Sequence, residues 1–368
     1  MLAAPCLGTL AMAVAADAAT GPSADTLAAL PAWLDLASVP GASWAMVDAS
    51  GTISSDAVGY ARAGTLLATP ETLFEAASLS KVVLAVAVHQ MVGEGLIDLD
   101  RPVADHVDFT GDVATRTITP RHLLSHASGL PNWRDEAGEP LTSAFTPGSR
   151  FRYAGEGFVL LGRLVEAVTG KTAAQVVETR VLRPAGMSRT TYGWDRSARP
   201  AAAWAHDSGG SPLPDKGPAG YEARRDAGPL KPVDRWTQSD REKAAVALGK
   251  PAMPIFMTPN VAAGLWTTAS DYARFLVFAR HYPALSIPTT KVKGTIDWGL
   301  GWALEQGNGR RFAWHWGSND GVANLFVVDL ASGVAVVVLT NGDAGRKVYE
   351  RAARSVFGRE FDAFTWLR

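Results

Sequence analysis

The stretch that most limits the available folds is FEAASLSKVVLAVAVHQ, residues 74–90. From Val82 to Val88 every residue is apolar, so a helix here has no polar face to turn toward water. Such a helix has to lie inside a larger structure, covered on all sides, because the run is far shorter than the ~20 residues that cross a bilayer. At its head stand Ser78, Ser80 and Lys81. An ammonium group is costly to bury unless something offsets the cost, so a lysine in that place has a use.

The chain has the material to enclose such a helix. It runs to 368 residues of which 47% are hydrophobic, and the length suggests about two domains. SWAMVDAS and ISSDAVGYAR alternate like two strands turned at Ser50-Gly51, preceded by SADTLAALPAWLDL with helical spacing. DWGLGWALEQ, RFAWHWG, ANLFVVDL and GVAVVVLTNG read as consecutive antiparallel strands, with turns at Gly307-Asn308-Gly309 and Ser332-Gly333. A helix, RKVYERAARSVFG, follows them. Between these strand-rich ends the pattern is helical and loop-rich. In GEGFVLLGRLVEAVTG, Phe158, Leu161, Leu164, Val165 and Val168 share a face and Gly170 is a stop signal. Residues 201–254 read as irregular, with SGGSPLPDKGPAG the clearest loop. The expected fold is α/β of the α+β type: an antiparallel sheet flanked by helices, with a mainly helical insertion. In residue terms, 22–77 and 255–368 form the sheet domain and 78–254 the insertion.

Charge narrows the function. The 35 basic and 36 acidic side chains leave no net field to attract nucleic acid or anionic lipid. Residues 1–19, MLAAPCLGTLAMAVAADAA, resemble an export signal, with Ala13-Val14-Ala15 and Ala16-Asp17-Ala18 as cleavage candidates but no basic residues after Met1. Pro5 disfavours a lipid anchor at Cys6, the single cysteine. The expected product is an exported protein, periplasmic or secreted, with no disulfide and no membrane span; the oligomeric state is not readable.

Ser78 and Lys81 are three apart and share a face of any helix that starts at Ser78. The helix's positive end favours negative charge developing on the hydroxyl, and a lysine in apolar surroundings gives up its proton more readily and is able to take the serine's. Ser78-Leu79-Ser80-Lys81 is the only S-x-x-K in the chain. Taken alone, it is equally well a helix cap with a snorkelling lysine.

Other segments fall in step with it. PGSRFRYAGEGFVLLGRLVE puts Tyr153 on a turn before an amphipathic helix, and WHWGSNDGV puts His315 and Gly317 on one strand face. With ITPRHLLSHASGLPNW, LRPAGMSRTTY and NVAAGLWTTASDYARFL around them, the chain resembles the β-lactamase-related serine hydrolases: class C β-lactamases, low-molecular-weight penicillin-binding proteins, D-aminopeptidases and esterases. The resemblance implies Ser78 as acylated nucleophile, Lys81 as its activating partner, and Tyr153 as a proton relay. His315-Trp316-Gly317 would be an H-x-G version of the family's K-T-G strand, and the backbone N–H groups of Ser78 and Ser318 an oxyanion hole. Gly317 would leave room for substrate along the strand.

There are two departures. Where many relatives have Y-x-N, this chain has Tyr153-Ala154-Gly155, and His315 stands where β-lactamases carry a lysine. Both turn the expectation from efficient β-lactam hydrolysis toward a carboxylic ester or a D-amino-acid-containing amide. Trp133 and Trp316 are the tryptophans placed to line the groove, with Gly155 beside them. Trp44, Trp298 and Trp302 fall within strand patterns and read as packing, and Glu156 as a first-turn partner of the helix dipole.

His122 and His126 are four apart, yet Leu123 follows where a H-E-x-x-H zinc protease needs glutamate, so a metalloenzyme reading is set far behind a framework role. No G-x-S-x-G elbow or phosphate-binding P-loop occurs. No metal or cofactor is expected, and a small-molecule ester, β-lactam or peptide is the expected partner. The alternative to an enzyme is a non-catalytic cell-wall or ligand-sensing module that keeps the fold.

Overall fold

The computed structural model describes residues 24–192, 202–216, 222–223, 225–249, 259–307 and 309–367. The expected export signal at 1–19 and the 254/255 boundary lie outside them. Strands β1 (Gly41–Val47), β2 (Ile53–Arg62) and β3 (Leu66–Leu67) come early; β4 (Phe74–Ala77) leads into the apolar helix. After the helical middle come β5 (Leu265–Thr267), β6 (Thr290–Lys293), β7 (Ile296–Trp298), β8 (Ala303–Gly307), β9 (Arg310–Asn319), β10 (Val322–Asp329) and β11 (Ala335–Thr340). Helices are α1 (Leu30–Ala37), α2 (Ser80–Gly93), α3 (Pro120–Leu124), α4 (Gly155–Thr169), α5 (Ala173–Val177), α6 (Gln238–Ala247), α7 (Ala269–Ala279), α8 (Arg346–Phe357) and α9 (Asp362–Trp366).

Nine strands form one antiparallel sheet in the order β3-β2-β1-β11-β10-β9-β8-β7-β6, so chain ends that are remote in sequence pair at its centre, β1 on β11. Alternation along each strand splits the core in two. Ala45, Val47, Ala313, Phe326, Val337 and Leu339 pack with α2 and α7. Trp44, Met46, Phe312, Trp314, Leu325 and Val338 pack with α1 and α8. The structure is thus a large antiparallel sheet flanked by helices, and among the described residues no strand lies between β4 and β5.

Helix α2 is buried from Ser80 through His89 on every face, as its composition requires. Helix α4 covers 155–169 and stops at Gly170, whose φ of 67° is left-handed. Three local expectations need correction. Helix α2 begins at Ser80, not Ser78, because Ala77 turns the chain with a left-handed φ of 49°. DWGLGWALEQ is two strand ends, not one strand: Gly301, at φ 145°, and Trp302 lie in the bend between β7 and β8. The stretch read as irregular contains α6, whose start is fixed by a capping box between Thr237 and Asp240.

Candidate active site

The two-stranded sheet of β4 and β5 delivers Ser78. Ala77 holds a conformation that costs a non-glycine residue about 1–3 kcal/mol, and its neighbours maintain it. Ser80 Oγ donates to Ala77 O (2.5 Å) and accepts from Leu265 N–H (3.0 Å), while the Tyr272 hydroxyl donates to Leu79 O (3.0 Å). Ser80 is therefore part of the scaffold of the turn that presents Ser78.

Lys81 has no exposed surface. Its Nζ donates to Ser78 Oγ at 2.9 Å and to the carbonyl of Ala262 at 2.8 Å. Around it lie the rings of Tyr153, Trp133 and Phe158, with centroids 5.2, 5.6 and 5.8 Å away. Burial lowers the ammonium pKa to about 7, and among the described residues no carboxylate pulls it back up. Near neutrality the amine is thus substantially free base. One N–H then satisfies Ala262 O, and the lone pair is left to meet the Ser78 proton. This is an arrangement for activating a hydroxyl; a snorkelling lysine would have its head in water.

Tyr153 sits just before α4. Burial raises its pKa, the Ser78 hydroxyl acting in the opposite sense, so the phenol keeps its proton. Among the described residues its Oη has no hydrogen-bond partner of good geometry. His315 is fully buried on β9, and its Nδ1 lies 2.6 Å from Trp316 O. A carbonyl only accepts, so Nδ1 carries the hydrogen and the unpartnered Nε2 is a bare acceptor. Burial, and then the positive charge of Lys81, lower its pKa to about 3. It is neutral, and cannot attract a carboxylate as a lysine would.

Gly317 has a structural reason beside the one expected. A Cβ there would stand 2.3 Å from Ala76 O and 3.2 Å from the nitrogens of Ser78 and Leu79. The glycine lets β9 close onto the backbone of the nucleophile turn, whatever the substrate needs. Ser318 is exposed at the next position. Strand β8 pairs with β9 only as far as Trp314, and residues of even number on β9 point their backbone groups to the β8 side. The N–H of Ser318 therefore faces an open edge, beside the strand that abuts Ser78 N.

Gly155 lies under Trp133. A Cβ at 155 would meet Trp133 Cη2 at 2.6 Å, Cζ2 at 2.7 Å and Asn132 O at 2.6 Å. A side chain at 155 would have to displace this indole and press on Asn132 O, so the amide of Y-x-N has no room here. Asn132 caps the helix instead: Gly155 N–H donates to its Oδ1 (3.0 Å) and Glu156 N–H to its carbonyl (2.9 Å). Glu156 turns away to a buried pair with Arg134 (3.1 Å). Trp316 is half-buried and leans on Tyr153, centroids 4.8 Å apart.

The sequence reading gave His126 a framework role but did not connect it with Tyr153. Its Nδ1 accepts the N–H of Ala154 (3.0 Å), its carbonyl accepts the N–H of Arg152 (2.8 Å), and its ring lies 4.3 Å from that of Tyr153. It thus grips Tyr153 from both chain neighbours and one ring face, with a left-handed φ of 53°. Only the fold ties residue 126 to 153; no spacing in the sequence does. His122 goes elsewhere, its Nδ1 accepting from Thr119 N–H (3.2 Å) to cap α3, which ends at Leu124. The two histidines do not share a helix face.

The comparisons with known proteins came out as follows. The sequence matches the family described as Beta-lactamase over residues 29–358. It is 27% identical over 347 residues to penicillin-binding protein 4 of Amycolatopsis lactamdurans, covering 87% of this chain and 85% of that protein. Esterase EstB of Burkholderia gladioli is 32% identical over 148 residues, covering 32% of this chain and 38% of the esterase. The fold is similar to that of the octameric penicillin-binding protein homologue from Pyrococcus abyssi, with a TM-score of 0.69 at 20% identity, over 91% of this chain and 77% of that one. It is also similar to a penicillin-binding protein from Bacillus halodurans, with a TM-score of 0.65 at 22% identity, over 89% and 98%. The chain, with its hydroxyl, amine and phenol gathered at the edge of an antiparallel sheet, belongs to the beta-lactamase family.

Proposed function

We propose that this protein is a serine hydrolase that forms an acyl-enzyme at Ser78 and acts on carboxylic esters, ahead of D-amino-acid amides and β-lactams. The observation that carries the reading is the fully buried Lys81 amine 2.9 Å from Ser78 Oγ, with a pKa near 7. In the first half-reaction Lys81 takes the Ser78 proton while Oγ bonds to the substrate carbonyl carbon. The developing oxyanion accepts the N–H groups of Ser78 and Ser318. Tyr153, which keeps its proton, gives it to the leaving oxygen and is replenished from Lys81; the C–O bond breaks and the alcohol departs. Water then enters, loses a proton by the reverse route, attacks the acyl carbon and frees Ser78 and the acid.

The preference for esters follows from Trp133 over Gly155. A β-lactam side chain or a D-peptide brings an amide next to the scissile bond, and an amide buried against an indole face without a partner costs about 1–3 kcal/mol. An apolar acyl chain has no such demand. His315 held neutral removes the charge that would reward a substrate carboxylate. The leader-like residues 1–19 support an exported enzyme. The test is turnover of a p-nitrophenyl ester, a chromogenic cephalosporin and a D-Ala peptide by wild type and Ser78→Ala. The reading expects the ester to have the highest kcat/KM and all activity to vanish in the variant; ester turnover that survives Ser78→Ala would overturn it.

A further inference from the structure

One of the two hydrogen bonds that orient Lys81 ends on Ala262 O, and that carbonyl belongs to a short turn between Pro259 and Gly264 with no helix or strand of its own. Inside the turn Asn260 folds back on the chain: its Oδ1 accepts Ala262 N–H (3.0 Å) and its carbonyl accepts Gly264 N–H (2.6 Å). From outside, Gln238 holds it. This first residue of α6 has no exposed surface; its Nε2 donates to Pro259 O (2.9 Å) and its Oε1 accepts Val261 N–H (3.4 Å). Gln238 is in turn anchored, its own N–H donating to the Glu166 carboxylate of α4 (3.1 and 3.2 Å), which also accepts Ala173 N–H (3.1 Å) at the start of α5. About one turn earlier on α4, Gly162 leaves the space: a Cβ there would stand 2.6 Å from Val261 Cγ2 and 3.1 Å from Gln238 Cγ.

We infer that Gln238 is a positioning residue for Lys81: its amide fixes the turn that carries the Ala262 carbonyl, and so sets where the lone pair of the base points. The inference rests on the functional reading above and extends it to a side chain that touches neither Ser78 nor Lys81. The physical argument is geometric. An amine with a free lone pair has its direction set by where its N–H groups bind, and Ala262 O is the acceptor that leaves the lone pair for Ser78. A side chain that holds both Pro259 O and Val261 N–H is what keeps that acceptor in place, since an apolar replacement would strand both groups without partners. Burial, which keeps the amine neutral, depends on the same turn staying closed. Helices α4 and α6 thereby bear on the base of helix α2 through one glutamine.

The test compares wild type, Gln238→Leu and Gly162→Ala with a p-nitrophenyl ester from pH 5 to 9, alongside thermal unfolding and phosphonate labelling. Gly162→Ala removes no polar group and displaces the turn only by crowding Val261 and Gln238, so it carries the test if Gln238→Leu does not fold. Both folded variants are expected to lose about ten- to a hundredfold in kcat with KM changed less than about threefold, as when a general base is misplaced. The acid limb of kcat/KM should move to higher pH, because water reaching the amine restores its affinity for a proton. Wild-type kcat and an unmoved acid limb in a folded variant would overturn the inference, as would a loss confined to KM. Failure of wild type to label at Ser78 would instead overturn the functional reading on which the inference rests.

Discussion

Adding one methyl group at Gly155 should change both the stability and the substrate preference of this protein. In Gly155→Ala the new Cβ lies 2.6 Å from Trp133 Cη2 and from Asn132 O. Asn132 O is the less able to move, since it is backbone and accepts Glu156 N–H at 2.9 Å. The half-buried indole has to retreat from 2.6 Å to an ordinary contact of 3.4 Å or more, which is roughly 0.8 Å, away from the start of the helix. Overpacking of this kind costs about 1–3 kcal/mol, so Tm should fall by several degrees. If the indole forms one wall for an apolar acyl group, the same 1–3 kcal/mol withdrawn from the transition state is about a 5- to 150-fold loss of kcat/KM on p-nitrophenyl butyrate. A double-mutant cycle with Trp133→Ala isolates the contact. Once the indole is gone the methyl group still meets Asn132 O but no longer the ring, so Gly155→Ala should cost less in the Trp133→Ala background than in wild type. Strict additivity in the cycle, or a Gly155→Ala enzyme with wild-type Tm and ester turnover, would refute the reasoning.

Other outcomes follow from the same geometry. Lys81 acts as a base only when neutral and its pKa is about 7, so kcat/KM should rise with pH through the range around 7 and level off above it; His315, near 3, should contribute no limb there. Lys81→Met should abolish that limb and lower turnover at least ~100-fold. His126→Ala should reduce kcat nearly as much as Tyr153→Phe while also lowering Tm, since it removes a cap on Ala154 N–H and a ring contact together; near-normal kcat would show that Tyr153 does not need the grip. Ser80→Ala should keep most of its turnover yet lose about 1–3 kcal/mol of stability, because it strands Ala77 O and Leu265 N–H, a loss that chemical denaturation would read.

Much of this was legible before any coordinates. An all-apolar helix has one physical solution, and short strand-like runs joined by glycine-bearing turns point to antiparallel neighbours; both patterns are local, and α2 and β8 to β11 follow them. The family resemblance named Ser78, Lys81, Tyr153 and His315 as partners, and the fold sets Ser78 and Tyr153 around the Lys81 amine. What was hidden depended on contacts between distant segments. Nothing near position 317 says that its side chain would strike Ala76 O, and nothing near 155 says that an indole from 133 fills the space. Helix α6 escaped because its mostly polar sequence has no apolar stripe, although the T-x-x-D box at Thr237 was there to be read. The hydrogen bonds by which His126 and Gln238 act on Tyr153 and Lys81 go to backbone, which any residue offers, so no motif marks them.

The central claim is that the Ser78 hydroxyl is the acyl acceptor and Lys81 its base. It is tested most directly by exposing the protein to a fluorophosphonate, measuring intact mass, and mapping the modified peptide. The account predicts a single adduct on Ser78, absent from Ser78→Ala and formed far more slowly in Lys81→Met. An adduct on any other residue, or a rate of labelling that does not depend on Lys81, would contradict it.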